Sequence, residues 1–456
     1  MSIEEGSIIE IFPEILKEGR RRSEEIINNP INLMSYQEKI ANLDDSKAAS
    51  VLYHGDNLDS IQSLINEGYG ETIDLIYIDP PFLTMANYKS KIPVLNMDKV
   101  EVVEHFAYND NWNGGMREYL QMLSLRLYLM RELLSDEGSI YVHLDYRTVH
   151  YVKIMMDCIF GEDMFLNEII WSYKSGGVSK KYYSRKHDSI LMYSKTKNYI
   201  FNPQKEKSYN RGFKPYRFKG VKEYEDNIGW YTLVNLKDVW QIDIVGRTSS
   251  ERIGYGTQKP EKLLERIIAT SSKEDSIVAD FFAGSGTTGA VAERLGRRYV
   301  MADKGNISCL TITKRMAEND SKPYLLKRIN TNQNTINKLK IDIFTKEKID
   351  RNRYLVNIKL GKYDLDLSKI KLNSKDMAII KNVLKKDPLA LIDYIGLDLN
   401  YDGKSPNITY QDYRKKDYHK INHEIQLYID ESLANKSIYL KMIDIFGYEY
   451  TKILEL

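Results

Sequence analysis

Cysteine is almost absent from this chain, with two residues in 456. Two thiols cannot build a disulfide framework, and such scarcity is typical of proteins from reducing compartments. Long apolar runs are also missing, and the stretch from Met1 to Glu5 lacks the basic and apolar regions of a secretory signal. The G-x-x-x-x-G-K-[ST] loop of ATP-driven enzymes does not occur either. These absences argue against secreted disulfide-rich proteins and membrane-spanning proteins, so we expect a cytoplasmic protein with no membrane partner.

Charge is distributed unevenly, although the formal net charge is only +2. Between Ser172 and Lys222 there are 14 Lys or Arg residues and two acidic residues, a net of +12, which leaves −10 for the rest of the chain. Ten Tyr or Phe residues lie in the same stretch. Basic side chains bind phosphates and aromatic rings stack on bases, so the stretch predicts a DNA-contacting segment. The alternative is a solvated basic loop. The candidate DNA-binding residues are Lys174, Lys180, Lys181, Arg185 and Lys186.

A short apolar run, Ile73 to Ile78, leads directly into Asp79-Pro80-Pro81-Phe82. In open α/β sheets such strands end at the edge where ligands bind, so Asp79 should face a pocket. Two prolines have no N–H and fixed φ angles, which leaves nearby carbonyls without strand partners. A carboxylate, free carbonyls and an aromatic ring suit a planar group with an exocyclic amine, such as a flipped-out nucleobase. The same residue types also form ordinary turns, so this segment alone leaves both interpretations open.

A second apolar run, Ser276 to Asp280, leads into a glycine turn, Phe281 to Gly289, that precedes a helix-like stretch. This pattern lets a backbone approach a nucleotide closely. Asp303 ends the next apolar run, at nearly the interval of an acid that binds a ribose diol. Because the glycines satisfy G-x-G-x-x-G, a nicotinamide dehydrogenase is an alternative. That alternative gives no reason for the basic stretch.

With these two motifs in this order, the chain resembles the β-class amino-methyltransferases of DNA, whose cofactor motif follows the catalytic one. His54-Gly55-Asp56-Asn57 resembles the family motif that reaches the cofactor adenine, and Thr257-Gln258-Lys259-Pro260 resembles the segment that covers the cofactor. The family usually has Glu where this chain has Asp303. Lys441 to Gly447 is similar to a tail found in methyltransferases of type III restriction-modification systems. Several motifs in one order are more specific than any single pattern.

The resemblance implies methyl transfer from S-adenosylmethionine to the N6 amine of adenine in double-stranded DNA, by base flipping and direct displacement. Asp79 and Pro80 would accept hydrogen bonds from the amine, Pro81 completes the rigid turn, and Phe82 would stack on the base. The family's cofactor residues correspond to Asp56, Asn57, Thr257, Lys259, Pro260, Asp280, Phe282, Gly284, Gly286, Thr287 and Asp303. No metal is expected. The alternatives are an N4-cytosine methyltransferase and a non-catalytic DNA-binding subunit. As further partners, the resemblance leaves a homodimer and a restriction subunit on a separate chain open.

The implied fold is a Rossmann-like α/β methyltransferase domain in permuted motif order. The predicted divisions are an N-terminal helical extension (1–45), a catalytic half (46–171), a target-recognition insert (172–245), a cofactor-binding half (246–325) and a mixed α+β C-terminal accessory domain (326–456). Within the last, the patterns predict a helix over Ser374 to Leu384 and strands over Glu424 to Ile429 and Ile438 to Ile443. His143, beside Asp145, is expected to be a buried histidine with a local partner.

Overall fold

A computed structural model describes residues 7–29, 33, 35–41, 49–174, 177–246, 248–330, 336–415 and 418–455. Its helices are α1 (Ile8–Asn28), α2 (Asn57–Asn66), α3 (Gly115–Leu133), α4 (Val149–Phe160), α5 (Glu261–Ser271), α6 (Thr287–Arg294), α7 (Asn306–Glu318) and α8 (Ser374–Lys386). The strands of the first half are β1 (Ser35–Ile40), β2 (Ser50–His54), β3 (Ile73–Ile78), β4 (Asn87–Asn96), β5 (Lys99–Asn109), β6 (Leu134–Leu144), β7 (Phe165–Ser172), β8 (His187–Ser194), β9 (Lys205–Tyr209), β10 (Glu223–Glu225), β11 (Trp230–Asn235) and β12 (Val239–Gln241). The remaining strands are β13 (Ile277–Asp280), β14 (Arg298–Asp303), β15 (Tyr324–Ile329), β16 (Asn337–Lys348), β17 (Arg353–Leu365), β18 (Ile392–Tyr401), β19 (Asn407–Ile408), β20 (Tyr410–Tyr413), β21 (Glu424–Asp430), β22 (Ser437–Asp444) and β23 (Glu449–Leu454).

The largest sheet has eleven strands in the order β12-β7-β8-β6-β3-β13-β14-β2-β15-β1-β19. Six neighbouring strands of this order, β6-β3-β13-β14-β2-β15, pair in parallel. The strand of the Asp-Pro-Pro-Phe turn, β3, therefore lies beside the strand of the glycine turn, β13, although β13 comes much later in the chain. This arrangement confirms the predicted α/β fold in permuted order.

Helices cover both faces of this sheet. Ile76 and Ile78 of β3 belong to a core built with α2, α3 and α4, whereas Leu75 and Tyr77 belong to a core built with α5, α6 and α7. Burial on both faces explains why β3 is an almost continuous apolar run instead of an alternating one.

The C-terminal module, which comprises the described residues from 336 onward, forms two smaller sheets and contributes β19 to the large sheet. The orders of the two smaller sheets are β16-β17-β21 and β20-β18-β22-β23. The predicted helix and both predicted strands of this region are confirmed as α8, β21 and β22. The core of the module includes Ile92, Val94 and Val103 of the hairpin β4–β5, so the hairpin and the module pack together.

The structure differs from the predicted divisions in three places. Ser35–Ile40 is a strand and not part of a helical extension, because it pairs with β15 and β19 at the edge of the large sheet. Residues 1–6, 30–32, 34 and 42–45 of that predicted extension lie outside the described residues. Strands β8 and β12 of the predicted insert belong to the large sheet, while β9, β10 and β11 form a separate one. The predicted boundary after residue 325 falls inside β15.

Among the described helices, none has the length and apolarity needed to cross a membrane.

A buried ion cluster joins the C-terminal module to the large sheet. The side chains of Glu38, Arg328 and Lys441 are 0%, 2% and 1% exposed. Glu38 Oε2 lies 3.0 Å from the Arg328 guanidinium and 2.7 Å from Lys441 Nζ. Glu449 Oε2 adds a second carboxylate 2.7 Å from Arg328. Two cations thus share two carboxylates in the interior.

Glu38→Ala should lower the free energy of unfolding by about 3–5 kcal/mol, because it leaves two buried cations with one carboxylate. Denaturant unfolding measures this loss. Glu431→Ala is the matched control, since Glu431 pairs with Lys348 where both side chains are about half exposed, and exposed pairs contribute about 0–1 kcal/mol. Equal losses for the two variants would contradict the prediction.

Candidate active site

A cavity of about 770 Å³ opens where the parallel strands end. Its volume is within the range of small-molecule sites. Its walls come from the turns after β3 and β13, the hairpin β4–β5, α3, the start of α7 and a turn of the C-terminal module. The sequence-predicted residues that line it are Asp56, Asn57, Asp79, Pro80, Pro81, Phe82, Thr257, Lys259, Asp280, Phe282, Gly284, Thr287 and Asp303.

Asp79 follows β3 and extends into the cavity with its side chain 18% exposed. Its Oδ2 forms an ion pair with the ammonium group of Lys259. Its Oδ1 has no hydrogen-bond partner among the described residues. The Lys259 ammonium also lies 5.4 Å from the centre of the Phe82 ring. The turn therefore places a carboxylate with one unpaired oxygen close to an aromatic ring, while the other carboxylate oxygen is held in place by Lys259.

Asp110 fixes the segment after this turn. Its buried carboxylate accepts hydrogen bonds from the backbone N–H groups of Leu83 and Thr84 at 3.1 and 2.8 Å, and from the indole of Trp112 at 2.9 Å. Leu83 has a left-handed φ of 57°, a conformation that needs such support in a branched residue. These contacts position Phe82 relative to Asp79.

His143 lies beneath Asp79 and is fully buried. As predicted it has a partner, but its partners come from other strands and not from Asp145. The Tyr77 hydroxyl lies 2.9 Å from Nδ1, and Asp188 Oδ2 lies 3.4 Å from Nε2. Burial by itself would raise the pKa of Asp188, but His143, the Lys259 charge and a hydrogen bond from Tyr173 together outweigh it and lower that pKa. Nδ1 also lies 4.0 Å from Asp79 Oδ1.

The glycine turn is held from below by Asp280. This fully buried carboxylate accepts from the Thr288 hydroxyl at 2.5 Å and from the N–H of Phe282 at 3.0 Å. Burial raises the pKa of Asp280 to about 7. Gly284 lines the cavity with a φ of 51°, which suits glycine and brings backbone to the ligand space.

Three predicted cofactor residues have structural roles. Gly286 does not line the cavity, and a Cβ at this position would lie 2.8 Å from Ile312, so it lets α7 pack closely. Pro260 precedes α5 as its N-cap residue and also lies outside the cavity lining. The Thr287 hydroxyl, although it lines the cavity, accepts a 2.9 Å hydrogen bond from buried Arg315.

Two acids occupy the part of the cavity beside β14 and β2. Asp303 accepts from the N–H groups of Gly284 and Gly305, each at 2.8 Å, and burial raises its pKa. Asp56 accepts from the Arg126 guanidinium at 2.8 Å, and Arg126 also donates to Asn57 at 2.5 Å. A carboxylate has about four acceptor sites, so both acids can still bind ligand hydroxyls.

The predicted DNA-binding residues lie outside the cavity, on the segment between β7 and β8. Strand β8 pairs antiparallel with β6, with Ser189 opposite Leu144, so this segment emerges at the same edge as the Asp79-Pro80-Pro81-Phe82 turn. The Arg185 guanidinium lies 3.7 Å above the Tyr146 ring, and Lys186 donates to the carbonyl of Gly177 at 3.1 Å. Tyr183, which is 99% exposed, adds an aromatic ring to this basic surface.

Several cavity residues were not assigned by the sequence analysis, namely His105, Arg126, Tyr255, Phe446 and Tyr448. They come from the hairpin, α3, the segment before α5 and the C-terminal module. Tyr255 stands two residues before the Thr257 motif, and Phe446 and Tyr448 lie in or beside the tail-like segment Lys441 to Gly447, but nothing in those patterns connected them with the cavity.

Comparison with known proteins gives a consistent family. The model of the DNA methylase family matches residues 73–314, more than half of the chain. A type II methyltransferase of Lactococcus lactis subsp. cremoris, M2.LlaDCHI, is 28% identical over 265 residues, covering 56% of this chain and 85% of the relative. The protein named DNA adenine methyltransferase YhdJ from Escherichia coli K12 is 29% identical over 259 residues, covering 55% and 77%. The solved M1.HpyAVI complex with SAM aligns with 58% of this chain and 98% of its own at 19% identity and a TM-score of 0.39.

Asp280→Asn should make stability less dependent on pH. The folded state holds the Asp280 proton up to a pH of about 7, whereas the unfolded state releases it near the ordinary value of 3.8. Ionising this buried carboxyl therefore costs the wild type about 2 kcal/mol of unfolding free energy between pH 5.5 and 8. Denaturant unfolding at both pH values should show a decline smaller by that amount in the variant. An unchanged decline would contradict the assignment.

Proposed function

The chain belongs to the DNA methylase family, and from this premise we propose that it transfers a methyl group from S-adenosylmethionine to the N6 amine of adenine in double-stranded DNA. The observation that carries the proposal is the Asp79 carboxylate, which lines the cavity together with Phe82 and has one oxygen, Oδ1, without a hydrogen-bond partner among the described residues. A nucleobase with an exocyclic amine has hydrogens to donate and a flat ring that can stack. The turn offers a partner for each.

The residues of the cavity fit this cofactor. S-adenosylmethionine supplies a methyl group activated by a positively charged sulfur. Asp303 would hold the ribose hydroxyls, as acids after the second strand do in nucleotide-binding α/β folds. Asp56 would reach the adenine end, and Gly284 lets the backbone approach the ligand. The carboxylates of Asp56, Asp79 and Asp303 make this a favourable site for a cation.

The catalytic turn would act by hydrogen bonding and not through a covalent intermediate. Asp79 Oδ1 and the Pro80 carbonyl would accept the two amine hydrogens, which concentrates the nitrogen lone pair and stabilises charge developing at nitrogen. Lys259 holds the other oxygen of Asp79 and so fixes the direction of the acceptor. Phe82 would stack on the extruded base and offset part of the unstacking energy.

Adenine is favoured by residue identity. In the family that the chain resembles, Asp at the first position of this turn tends to accompany adenine, whereas Ser tends to accompany cytosine. A similar protein of Escherichia coli is named as an adenine methyltransferase. The basic segment between β7 and β8 would bind the DNA backbone and bring the duplex to the edge where Asp79 lies.

Incubation with labelled S-adenosylmethionine and unmethylated DNA, followed by digestion and mass spectrometry, should yield N6-methyladenine. N4-methylcytosine would retain the reaction type but overturn the choice of base. No labelled nucleoside would favour a non-catalytic DNA-binding subunit.

Asp79→Ala should reduce the methylation rate by about 10²–10³-fold or more, because it removes the amine acceptor. DNA binding, measured by fluorescence anisotropy, should persist. Asp98→Ala, at the exposed tip of the hairpin β4–β5, is the matched control and should methylate normally. Methylation that survives in Asp79→Ala would show that the catalytic assignment is wrong.

Lys180→Gln/Lys181→Gln should weaken DNA binding to a similar extent for every sequence, because lysines contact phosphates. The slope of log affinity against log salt should fall by about 1.8, which is 0.9 for each lost phosphate contact. The same two changes at Lys340 and Lys362, which lie on β16 and β17, serve as controls and should leave the slope unchanged. Equal effects at both pairs would indicate that overall charge, and not this segment, determines binding.

A further inference from the structure

A turn of the C-terminal module reaches the cavity from outside the methyltransferase sheet. The residues from Asp444 to Tyr448 connect β22 to β23. Phe446 and Tyr448 of this turn line the cavity. Phe446 is only 1% exposed, so its ring lies at the back of the wall, whereas Tyr448 is partly exposed.

The Asp444 carboxylate gives this turn a fixed shape. Its Oδ1 accepts from the N–H groups of Phe446 and Tyr448, at 2.9 and 3.0 Å. Its Oδ2 accepts from the Tyr363 hydroxyl at 2.7 Å. A carboxylate that bonds to both flanking amides holds the two aromatic residues in one arrangement.

The turn packs directly on the start of α7. Gly447 has a φ of 81°, and a Cβ there would lie 2.6 Å from the carbonyl carbon and oxygen of Asn306. Asn306 follows Gly305, whose N–H donates to Asp303. Asp303 occupies the position that binds ribose in nucleotide-binding α/β folds. The turn therefore lies beside the adenosine end of the cavity.

His105 of β5 completes this wall. Its ring meets the Phe446 ring edge to face at 4.9 Å between centroids. Burial lowers the pKa of His105 to about 4, so the imidazole is neutral at pH 7. Its buried Nδ1 has no hydrogen-bond partner among the described residues. Aromatic rings and an unpaired ring nitrogen suit a planar heterocycle with its own donor or acceptor.

We infer that the C-terminal module completes the cofactor site, with Tyr448 and His105 enclosing the adenine ring of S-adenosylmethionine and Phe446 packed behind them. The inference rests on the proposed function, because it takes the cofactor from there. The module is then part of the binding site and not only an accessory domain. Tyr448 and His105 contact the ligand, and Phe446 supports them.

Calorimetry of the full-length protein with S-adenosylhomocysteine tests this inference. Tyr448→Ala should weaken binding by about tenfold, as expected for loss of one aromatic stacking partner. Phe446→Leu retains most of the buried volume and should weaken binding several-fold. Thermal unfolding without ligand shows whether each variant is folded. Tyr428→Ala removes an exposed tyrosine from the same module and should bind as the wild type does.

A second probe, 5′-methylthioadenosine, locates the contact because it lacks the amino-acid part of the cofactor. Tyr448→Ala should weaken its binding by the same factor as that of S-adenosylhomocysteine. Unchanged binding of either probe by folded Tyr448→Ala, with a wild type that binds both, would overturn the inference and leave the proposed function intact. A wild type that binds neither probe would overturn the proposed cofactor, and the inference with it.

Discussion

The parallel pairing of β3, β13, β14 and β2 is the constraint on which the site depends. Each strand ends at the same edge, so Asp79, Asp280, Asp303 and Asp56 meet there although they come from opposite ends of the domain. Side chains alternate between the two faces along a strand, so a shift of one residue in this register would turn buried residues such as Leu75 and Ile76 to the wrong core. Burial in the two cores determines the register of these strands, and the register determines which side chains meet in the cavity.

Gathering four carboxyl groups in one place has an electrostatic cost, and the structure reduces it in different ways. Lys259 pairs with Asp79, and Arg126 pairs with Asp56. Asp303 receives two backbone N–H groups instead of a cation. Asp280 is buried so deeply that its pKa rises to about 7. The remaining negative character suits a sulfonium but repels DNA phosphates. In the proposed function, a separate basic segment between β7 and β8 would bind the DNA backbone away from these carboxylates.

The sequence predicted what is encoded locally. The Asp79 turn and the glycine turn are each a strand followed at once by its functional residues, so the motif and the site coincide.

Lys259 was assigned to the cofactor, but its ammonium pairs with Asp79, because that contact depends on how a distant segment packs over β3. Thr287 was assigned on the same basis, and its hydroxyl accepts from Arg315, which no motif indicates. Ser35–Ile40 was expected within a helical extension, because a six-residue strand has too little alternation to be recognised. Phe446 and Tyr448 required the packing of the whole C-terminal module.

The buried ion cluster explains why that module is held in one position. Lys441 lies on β22 and Glu449 on β23, the two strands that flank the turn containing Phe446 and Tyr448. Lys441 pairs with Glu38, and Glu449 pairs with Arg328. Glu38 and Arg328 both belong to the large sheet. Replacing buried ion pairs with apolar residues of similar volume is often neutral or stabilising, so extra stability is not what distinguishes such a cluster. A buried charge that loses its partner is strongly destabilising, so the pairs favour one arrangement of the two strands. A shift of the β22–β23 hairpin would separate those pairs and withdraw the turn from Asn306. The cluster thus links the register of a distal hairpin to the shape of the cavity wall.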